Sequence, residues 1–349
     1  MSEKVSIVMP VYNVENYIER AIQSVLNQTY ENIELIIVND QTKDNSMDIV
    51  HKYSILDKRI KVVNKEKNEG LGFARNTGMD LAIGKYIYFI DSDDYIESNT
   101  IERCVIEIEK NNSDIVIFGY SEDYEENNIV TNRNVFVYED DIMTSVEFKN
   151  RFVELFTRTI IHSTCNKFYD LEVIRKNDIR FRRVSMCEDT FFNLELINKL
   201  ENITIVSDVF YHYMKRNVET LIVKYNPERF KFMNEVQQKV INLMNEFELI
   251  NDTNMALVNK TYIRTVIFCI IQMFNANVNL SYSQKRSVIK EICENESVKK
   301  AIENINDASK VEKIYSFMIK NNNICGIYYC SKIGNILKNK LNSLYKIIK

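Results

Sequence analysis

The chain has 349 residues, of which 45% are hydrophobic and 27% are charged, and its formal net charge at pH 7 is −4. This length allows more than one domain, and the charge balance argues against nucleic-acid binding. The 7 cysteines are scattered without a CxxC pair, which argues against a disulfide framework and a zinc site and favours the reducing cytoplasm. We expect neither a signal peptide nor a transmembrane helix, because the first apolar run is short and interrupted by Pro10 and none reaches about 18 residues.

Strand and helix patterns alternate over the first part of the chain. Runs of apolar and β-branched residues predict strands, and apolar residues that recur at helical spacing predict the helices between them. In chain order, these strands and helices are predicted at residues 4–11, 17–26, 34–38, 46–53, 60–64, 71–82 and 86–90. Alternation of this kind forms βαβ units, so we expect an α/β fold with a mostly parallel sheet flanked by helices.

The middle of the chain combines strands with polar and helical segments. Strands are predicted at residues 115–120 and 206–213, and an amphipathic helix is predicted at residues 146–156. Residues 122–134 are polar and acidic, which is typical of a surface loop. Residues 190–200 carry an apolar stripe at helical spacing, so a further helix is expected there.

The remainder of the chain has helical periodicity and almost no strand signal. We therefore divide the chain into an α/β domain at residues 1–216, an all-helical C-terminal module at 217–320 and a basic amphipathic helix at 321–349. The module is expected to pack on the first domain or to form a homo-oligomer. The last segment contains Lys but no Asp or Glu, and its apolar residues recur at helical spacing. Such a helix binds an anionic membrane peripherally, here on its inner face, or it docks on the protein itself.

Polar residues follow three of the predicted strands at the points where the strands end. They are Tyr12 and Asn13, Asn39 and Asp40, and the acidic run Asp91–Asp94. Because ligands bind at the carboxyl ends of parallel strands, we expect these residues to form one pocket. The close carboxylates of the acidic run repel one another, and a bound Mg²⁺ or Mn²⁺ would relieve that repulsion. The alternative is an acidic turn whose side chains cap a helix that begins near Glu97.

Five segments, in this order, resemble the family 2 glycosyltransferases of GT-A fold: VSIVMPVYN, IELIIVND, NEGLGFARNTGM, GKYIYFIDSDD and CEDTFF. The resemblance covers about residues 5–213. It implies a hexosyltransferase or N-acetylhexosaminyltransferase that moves a sugar from a UDP-sugar donor to an acceptor hydroxyl, with inversion at the anomeric carbon. The implied acceptor is a carbohydrate or lipid-linked chain of a growing surface polysaccharide, glycolipid or cell-wall polymer.

The resemblance also implies a site for the nucleotide sugar. Its residues are Pro10, Tyr12, Asn13, Asp40, Asn68, Arg75, Asp91 and Ser92. Asp40 is expected to bond to the uracil ring, and Arg75 to reach the diphosphate or the nucleobase, the alternative being a surface arginine on a helix. Many relatives have Asp-Asp-Gly-Ser where this chain has Asn39–Thr42, so the aspartate is kept but the glycine of the turn is missing.

A metal site and a pair of catalytic carboxylates are implied as well. Mg²⁺ or Mn²⁺ is expected to bind Asp93, with Asp91 and His212 as further ligands. The alternative for His212 is a histidine packed among aromatic residues. By the resemblance, Asp189 is the general base that deprotonates the acceptor, and Glu188 is its orienting neighbour. Asp189 also precedes a predicted helix, so the alternative is an N-cap, whose lowered pKa conflicts with the role of a base.

Two other classes of protein share parts of this pattern. A sugar-1-phosphate nucleotidyltransferase would carry a glycine-rich, basic loop after its first strand, and residues 9–14 have neither property. A non-catalytic carbohydrate-binding or scaffold protein on a GT-A fold would have lost the DSDD or the Glu188–Asp189 carboxylates, and both are present. Asn166 and Lys167 are expected either to meet the donor sugar or the acceptor, or to lie in a solvated loop.

Overall fold

The computed structural model describes residues 2–126, 129–216, 225–303, 305 and 308–348, with side chains described as far as residue 336. The chain divides into two compact units, Met1–Val218 and Glu219–Lys349. The domain boundary predicted after residue 216 adjoins residues 217–224, which lie outside the described residues. Each unit has a hydrophobic core of its own.

One mixed sheet forms the centre of the first unit. Its strands are β1 (Val5–Val11), β2 (Ile33–Asn39), β3 (Ile60–Asn64), β4 (Tyr86–Phe89), β5 (Tyr95–Ile96), β6 (Ile115–Glu126), β7 (Ile129–Phe136), β8 (Asp141–Thr144), β9 (Lys167–Asp170) and β10 (Asn202–Arg216). Over the described part of the chain, the 10-stranded sheet has the order β3–β2–β1–β4–β9–β6–β10–β5, while β7 pairs with β6 and β8 with β10. Strands β3, β2, β1 and β4 are parallel neighbours, and β10 is parallel to β6. Strand β9 is antiparallel to both β4 and β6, so the sheet becomes mixed beyond the parallel part that the sequence predicts.

Helices of the first unit connect and cover these strands. They are α1 (Ile18–Leu26), α2 (Ser46–Leu56), α3 (Leu71–Leu81), α4 (Thr100–Lys110), α5 (Ser145–Asn150), α6 (Phe152–Thr157), α7 (Leu171–Lys176) and α8 (Glu188–Leu196). Every residue of β1 and β4 is buried, which is typical of a sheet that is covered on both faces. Helix α1 buries the stripe formed by Ile18, Ala21, Ile22 and Val25, as its helical spacing predicts.

The strand register brings the predicted strand-end residues to one edge of the sheet. On the two neighbours of β1, Asn39 of β2 lies opposite Val11, and Phe89 of β4 lies opposite Val8. The loops that begin after Val11, Asn39 and Phe89 therefore leave the sheet side by side. This edge is where ligands bind in open α/β sheets, so the structure places the predicted pocket residues together.

The predicted surface loop at residues 122–134 is wrong, because its described residues belong to two paired antiparallel strands. Strand β6 continues to Glu126 and pairs antiparallel with β7. Asp123 is fully buried on β6, and Arg133 of β7 donates to it from Nε at 2.8 Å and from Nη2 at 2.6 Å. These two charged residues, whose type favours a loop in the sequence, thus form an ion pair between the two strands.

Two predicted helices have different bounds in the structure. The helix expected at residues 146–156 is divided at Arg151 into α5 and α6. Thr144 caps α5 in a capping box with Glu147, which starts the helix independently of the apolar stripe. The helix expected at residues 190–200 begins earlier, at Glu188, and its last turn is a 3₁₀ helix at Ile197–Lys199.

Helices are the secondary-structure elements of the second unit over its described residues, as the sequence predicts. Its helices are α9 (Arg229–Glu246), α10 (Asp252–Gln272), α11 (Tyr282–Glu294), α12 (Glu296–Glu303), α13 (Lys310–Lys320) and α14 (Ile324–Ile348). The basic amphipathic helix predicted at 321–349 coincides with α14, but its side chains after residue 336 lie outside the described residues. Among the helices that the structure describes, none combines the length and the apolar character needed to cross a membrane.

Close packing between α3 and β1 generates a stability prediction. A Cβ added to Gly78 of α3 would lie 2.3 Å from Cγ1 of Val8, which is fully buried on β1. Gly78→Ala is therefore expected to lower the free energy of unfolding by about 1–3 kcal/mol, measured by urea denaturation. Val8→Ala in the same chain opens this space. The double variant is therefore expected to lose less unfolding free energy than the sum of the losses in the two single variants.

Gly334→Ala is the matched control for this prediction. Gly334 lies in α14, and an added Cβ meets no heavy atom within 4 Å. Alanine favours a helix over glycine by about 1 kcal/mol, so this change is expected to be neutral or stabilising. Additive effects of Gly78→Ala and Val8→Ala would contradict the packing argument.

Candidate active site

Arg75 of α3 lies at the centre of the candidate site and is only 1% exposed. Its Nη2 donates a hydrogen bond to Asp91 Oδ1 at 2.7 Å, and its Nη1 donates to Asp189 Oδ1 at 2.5 Å. Glu188 Oε1 lies 3.8 Å from the same Nη1. Burial alone lowers the pKa of Arg75, but Asp189 and Asp91 outweigh that effect and hold the pKa above its ordinary value. One guanidinium therefore joins the acidic run after β4 to the carboxylates of α8, and the surface alternative for Arg75 is excluded.

Asp40 fixes the loop that leads into α3. Its carboxylate is 3% exposed and accepts hydrogen bonds from the backbone N–H groups of Glu69 at 3.0 Å and Gly70 at 2.8 Å. The side chain of Asn68 donates in turn to the backbone oxygen of Asp40 at 2.9 Å. Gly70 has a φ of 91°, a conformation that favours glycine, and α3 begins at the next residue. The predicted donor residues Asp40, Asn68 and Arg75 thus belong to one continuous piece of structure.

The loops after β1 and β2 are bonded to each other. Pro10 is buried near the end of β1, and Tyr12, which follows the strand, is 42% exposed. Asn13 donates from its backbone N–H to Thr42 Oγ1 at 2.7 Å and accepts at Oδ1 from the backbone N–H of Lys43 at 3.1 Å. These bonds hold the predicted uracil and ribose end of the site together.

Gln41 takes the place of the glycine that many relatives have in this turn. Its φ is 63°, in the left-handed region that glycine adopts most easily. The side-chain amide of Gln41 donates a short hydrogen bond to the backbone oxygen of Lys65 on the neighbouring loop. This bond compensates for the strained conformation, so the turn keeps its shape without the glycine.

The acidic run after β4 has one anchored and two partly exposed carboxylates. Asp94 is fully buried, and it accepts hydrogen bonds from the Tyr211 hydroxyl and, at 2.8 Å, from the backbone N–H of Met214. Asp91 is 27% exposed and Asp93 is 42% exposed, while the intervening Ser92 is buried. Strand β10 thus holds the run in place through Asp94 and leaves Asp91 and Asp93 facing the site edge.

The donor set of this run fits a hard divalent cation. The surrounding protein and the nearby charge of Asp91 raise the pKa of Asp93 to about 6, although its side chain is 42% exposed. Arg216 Nη1 lies 3.8 Å from Asp93 Oδ2, too far for a hydrogen bond, so the carboxylate keeps its oxygens available. No three His, Cys, Asp or Glu side chains of the described residues could hold a metal among themselves. Mg²⁺ and Mn²⁺ suit such a partial site, because they take remaining ligands from phosphate and water.

His212 corrects the predicted metal site. It is 2% exposed on β10, and both of its ring nitrogens have protein partners. Nε2 lies 2.8 Å from Glu97 Oε1, and Nδ1 lies 2.9 Å from Ser121 Oγ and 3.3 Å from Asp123 Oδ2. The ring also stacks on Tyr95 with a centroid separation of 4.3 Å. His212 therefore takes the alternative role, a histidine packed against an aromatic ring, with no ring nitrogen free for a metal.

The carboxylates of α8 have different surroundings. Asp189 Oδ2 accepts from the backbone N–H and from Oγ1 of Thr164, each at 3.0 Å, while its Oδ1 accepts from Arg75. The N-cap position belongs to Cys187, so the N-cap alternative for Asp189 is wrong. Glu188 is 15% exposed, and burial and the charge of Asp189 raise its pKa, opposed by Arg75. The structure therefore raises the proton affinity of Glu188.

The segment before β9 contributes contacts that the sequence did not indicate. Cys165 donates from Sγ to Asp91 Oδ2 at 3.4 Å, and Thr164 supplies the two bonds to Asp189. Neither residue type marks a sugar-transfer site, and both lie far from their partners along the chain. Asn166 and Lys167 are each 2% exposed, so the structure contradicts both a solvated loop and a contact with the sugar.

The fold matches solved structures of nucleotide-sugar enzymes. The crystal structure of S. aureus TarS residues 1–349 in complex with UDP-GlcNAc superposes with a TM-score of 0.68 at 22% sequence identity, covering 96% of this chain and 92% of that chain. The same TarS fragment in complex with UDP gives a TM-score of 0.65. This likeness confirms the predicted fold class, a GT-A-type sheet flanked by helices and followed by a helical region.

Sequence comparisons identify the family. Residues 6–177 match the family described as Glycosyl transferase family 2. The uncharacterized glycosyltransferase EpsJ of Bacillus subtilis is 32% identical over 250 residues, 70% of this chain and 71% of that protein. The poly(ribitol-phosphate) beta-glucosyltransferase of Bacillus spizizenii is 31% identical over 230 residues, 64% of this chain and 34% of that protein. The chain belongs to glycosyltransferase family 2, and it is an enzyme of the glycosyltransferase class.

Removing the charge of Arg75 tests the bridge between Asp91 and Asp189. Arg75→Met keeps much of the side-chain volume but leaves both partly buried carboxylates without their cation. We expect the free energy of unfolding to fall by about 3 kcal/mol or more, measured by urea denaturation. Arg75→Lys is expected to recover only part of this loss, because one ammonium lacks the fork that serves two carboxylates.

Lys61→Met is the matched control, since Lys61 pairs with Glu34 Oε2 at 2.6 Å on another part of the sheet and its side chain is 47% exposed. A loss for Arg75→Met no larger than the loss for Lys61→Met would show that the bridge is not a main source of stability.

Proposed function

We propose that this protein is a metal-dependent, inverting glycosyltransferase that moves a sugar from a UDP-sugar donor to an acceptor hydroxyl. The observation that carries this proposal is the Arg75 bridge. A single guanidinium bonds both Asp91, the proposed donor-side carboxylate, and Asp189, the proposed acceptor-side carboxylate. Asp91 lies 2.7 Å and Asp189 lies 2.5 Å from the Arg75 nitrogens. Sugar transfer requires donor and acceptor groups in contact, and the closeness of these two carboxylates supports such an arrangement.

The donor is proposed to lie along the edge formed by the ends of β1, β2 and β4. The exposed ring of Tyr12 and the loop of Asp40 would hold the uridine, and Asp91, which precedes the buried Ser92, would face the ribose and diphosphate. The likeness in fold to TarS, which was solved in complex with UDP-GlcNAc, supports a UDP-sugar as the donor.

Asp93 and Asp91 are the proposed ligands of Mg²⁺ or Mn²⁺. Burial and the neighbouring charge of Asp91 raise the pKa of Asp93, and a cation at this point would favour the ionised carboxylate. When bound, the cation stabilises the charge that develops on the departing UDP diphosphate. Arg216 holds the loop that carries Asp93, since its Nη2 donates to the backbone oxygen of Asp93 at 3.0 Å.

Asp189 is the proposed general base, and Glu188 is its neighbour in the first turn of α8. Arg75 and Thr164 fix both carboxylate oxygens of Asp189, and the remaining lone pairs can accept a proton from the acceptor hydroxyl. The oxygen freed of its proton then attacks the anomeric carbon from the face opposite to UDP, which inverts the configuration. Burial raises the pKa of Glu188, so its negative charge beside the base develops only at a higher pH than in an exposed glutamate.

The proposed acceptor is a hydroxyl of a growing surface polysaccharide, glycolipid or cell-wall polymer. The relative named poly(ribitol-phosphate) beta-glucosyltransferase supports a polymer of this kind, although this chain aligns with only 34% of its length. Association of α14 with an anionic membrane and self-association of the helical unit remain predictions that accompany this proposal.

Replacing Asp93 tests the metal site. Asp93→Ala is expected to keep the fold, because the side chain is 42% exposed, and to lower turnover of a UDP-sugar by about 100-fold or more. Calorimetry with UDP is expected to show tighter binding with Mn²⁺ than with a chelator for the wild-type protein and no such difference for the variant.

Asp178→Ala is the control for Asp93→Ala, since Asp178 is 94% exposed on the surface. Near wild-type turnover of Asp93→Ala with purified donor would rule out Asp93 as the metal ligand.

Replacing Asp189 tests the base. Asp189→Asn keeps an oxygen acceptor for Arg75 but cannot take a proton, so turnover is expected to fall by about 10²–10⁴-fold while UDP affinity stays within about threefold. Glu188→Gln is the companion variant and is expected to shift the acidic limb of the rate profile with a smaller loss of rate. If UDP affinity falls in step with the rate for Asp189→Asn, the residue is structural and the assignment fails.

A further inference from the structure

Lys167 is a buried ammonium at the first position of β9, and the proposed function does not use it. The residue is 2% exposed. Its Nζ donates to the backbone oxygens of Ile160 at 2.7 Å and Ser163 at 2.5 Å, and to Asn166 Oδ1 at 2.8 Å. These three acceptors are neutral oxygens rather than carboxylates. A buried cation held in this way is costly, so its presence calls for a reason beyond packing.

The backbone that Lys167 holds belongs to a segment that contacts both halves of the candidate site. We name residues 160–165 the bracing segment. Within it, Thr164 donates twice to Asp189, and the Cys165 thiol donates to Asp91. The bracing segment is therefore the second connection between the two carboxylates, after Arg75.

Other buried polar groups fix the same segment from a different side. Asn193 of α8 donates from Nδ2 to the backbone oxygens of Ile161 at 2.7 Å and Ser163 at 2.9 Å. The Tyr169 hydroxyl donates to Asn193 Oδ1 at 3.0 Å and thereby orients that amide. The Ser163 oxygen accepts from both Lys167 and Asn193, so the ammonium and α8 share one carbonyl directly before Thr164.

We infer that Lys167 is a positioning residue for sugar transfer, whose protonated ammonium holds the bracing segment so that Thr164 keeps Asp189 in its reactive orientation. The inference rests on the proposed role of Asp189 as the base. A displacement of about 1 Å in a reacting group can cost about 100-fold in rate, which sets the size of effect that a positioning residue can have.

The surroundings of Lys167 make this role sensitive to pH. Burial lowers the pKa of Lys167 to about 7, while the facing groups Asp189 and Cys165 raise it. His162, on the bracing segment, has a pKa lowered to about 4 by burial and by the charge of Lys167, so it stays neutral. The neutral amine has only two N–H donors for three acceptors, so one of them loses its bond. The braced geometry is therefore present at pH values below the pKa of Lys167 and is lost as pH rises through it.

Lys167→Met tests the inference by removing the charge and the donors at similar length. Turnover of UDP-glucose and UDP-N-acetylglucosamine by hydrolysis would be measured across pH, and binding of UDP with Mn²⁺ by calorimetry. We expect kcat to fall by about 100-fold with UDP affinity within about threefold, and the alkaline limb of the wild-type profile to disappear. Lys167→Arg, which stays charged, is expected to recover part of kcat and to lack that limb as well.

Thr164→Val and Ser113→Ala complete the set. Thr164→Val removes one hydroxyl bond to Asp189 and is expected to reduce kcat in the same direction, so it decides the question if Lys167→Met fails to fold. Ser113→Ala is the control, because it also removes a buried hydrogen bond, the one of 2.7 Å to Thr204. This bond lies near the beginnings of β6 and β10, away from the candidate site.

The inference would be overturned if Lys167→Met kept kcat within about threefold of wild type, or if the alkaline limb of its rate profile persisted. If Lys167→Met does not fold, an unchanged kcat in Thr164→Val would overturn the inference instead. Full activity of Asp189→Asn would instead overturn the proposed base. Loss of activity in Asp189→Asn together with full activity in Lys167→Met would reject only the role of Lys167.

Discussion

The first unit depends on one buried cation that must be shared by carboxylates from distant parts of the chain. Arg75 is 1% exposed, and burying a guanidinium without compensation would cost several kcal/mol. Asp91 and Asp189 provide that compensation at hydrogen-bonding distance. The first turns of α3, the end of β4 and the start of α8 therefore have to meet at one point, and that requirement assembles the candidate site.

The remaining polar groups of the site serve mainly to hold backbone in place. Asp40 holds the entry to α3, Asp94 ties the acidic run to β10, and Lys167 holds the segment that carries Thr164. Each of these side chains is nearly or fully buried, and each bonds at least one main-chain group. Because these loops carry the exposed carboxylates, rigid support beneath them fixes the geometry on which sugar transfer depends.

The sequence predicted what is local and missed what is not. The apolar runs of β1, β2 and β4 and the polar residues after them were enough to predict that these strand ends lie side by side, because the strands are parallel neighbours. The pairing of Arg75 with Asp189 could not be predicted from the sequence, because Asp189 lies 114 residues away and only the tertiary fold brings it close. His212 was misjudged for a similar reason, as its buried partners Ser121 and Asp123 sit on another strand. The pairing of β6 with β7 was not predicted, because a pattern based on hydrophobicity assigns charged residues to a loop even when they form an ion pair between strands.

The antiparallel insertion of β9 between β4 and β6 has a consequence for how a newly made chain matures. Strand β4 has an open edge until β9 has been synthesised, and Arg75 lacks one of its carboxylates until Asp189 follows 114 residues later. At typical ribosomal speeds of about 5–20 residues per second, that interval lasts roughly 6–23 seconds. During it the nascent polypeptide presents an unpaired strand edge, the kind of surface that chaperones shield. Premature termination in this window would leave a fragment in which β4 lacks its partner β9 and Arg75 lacks its partner Asp189.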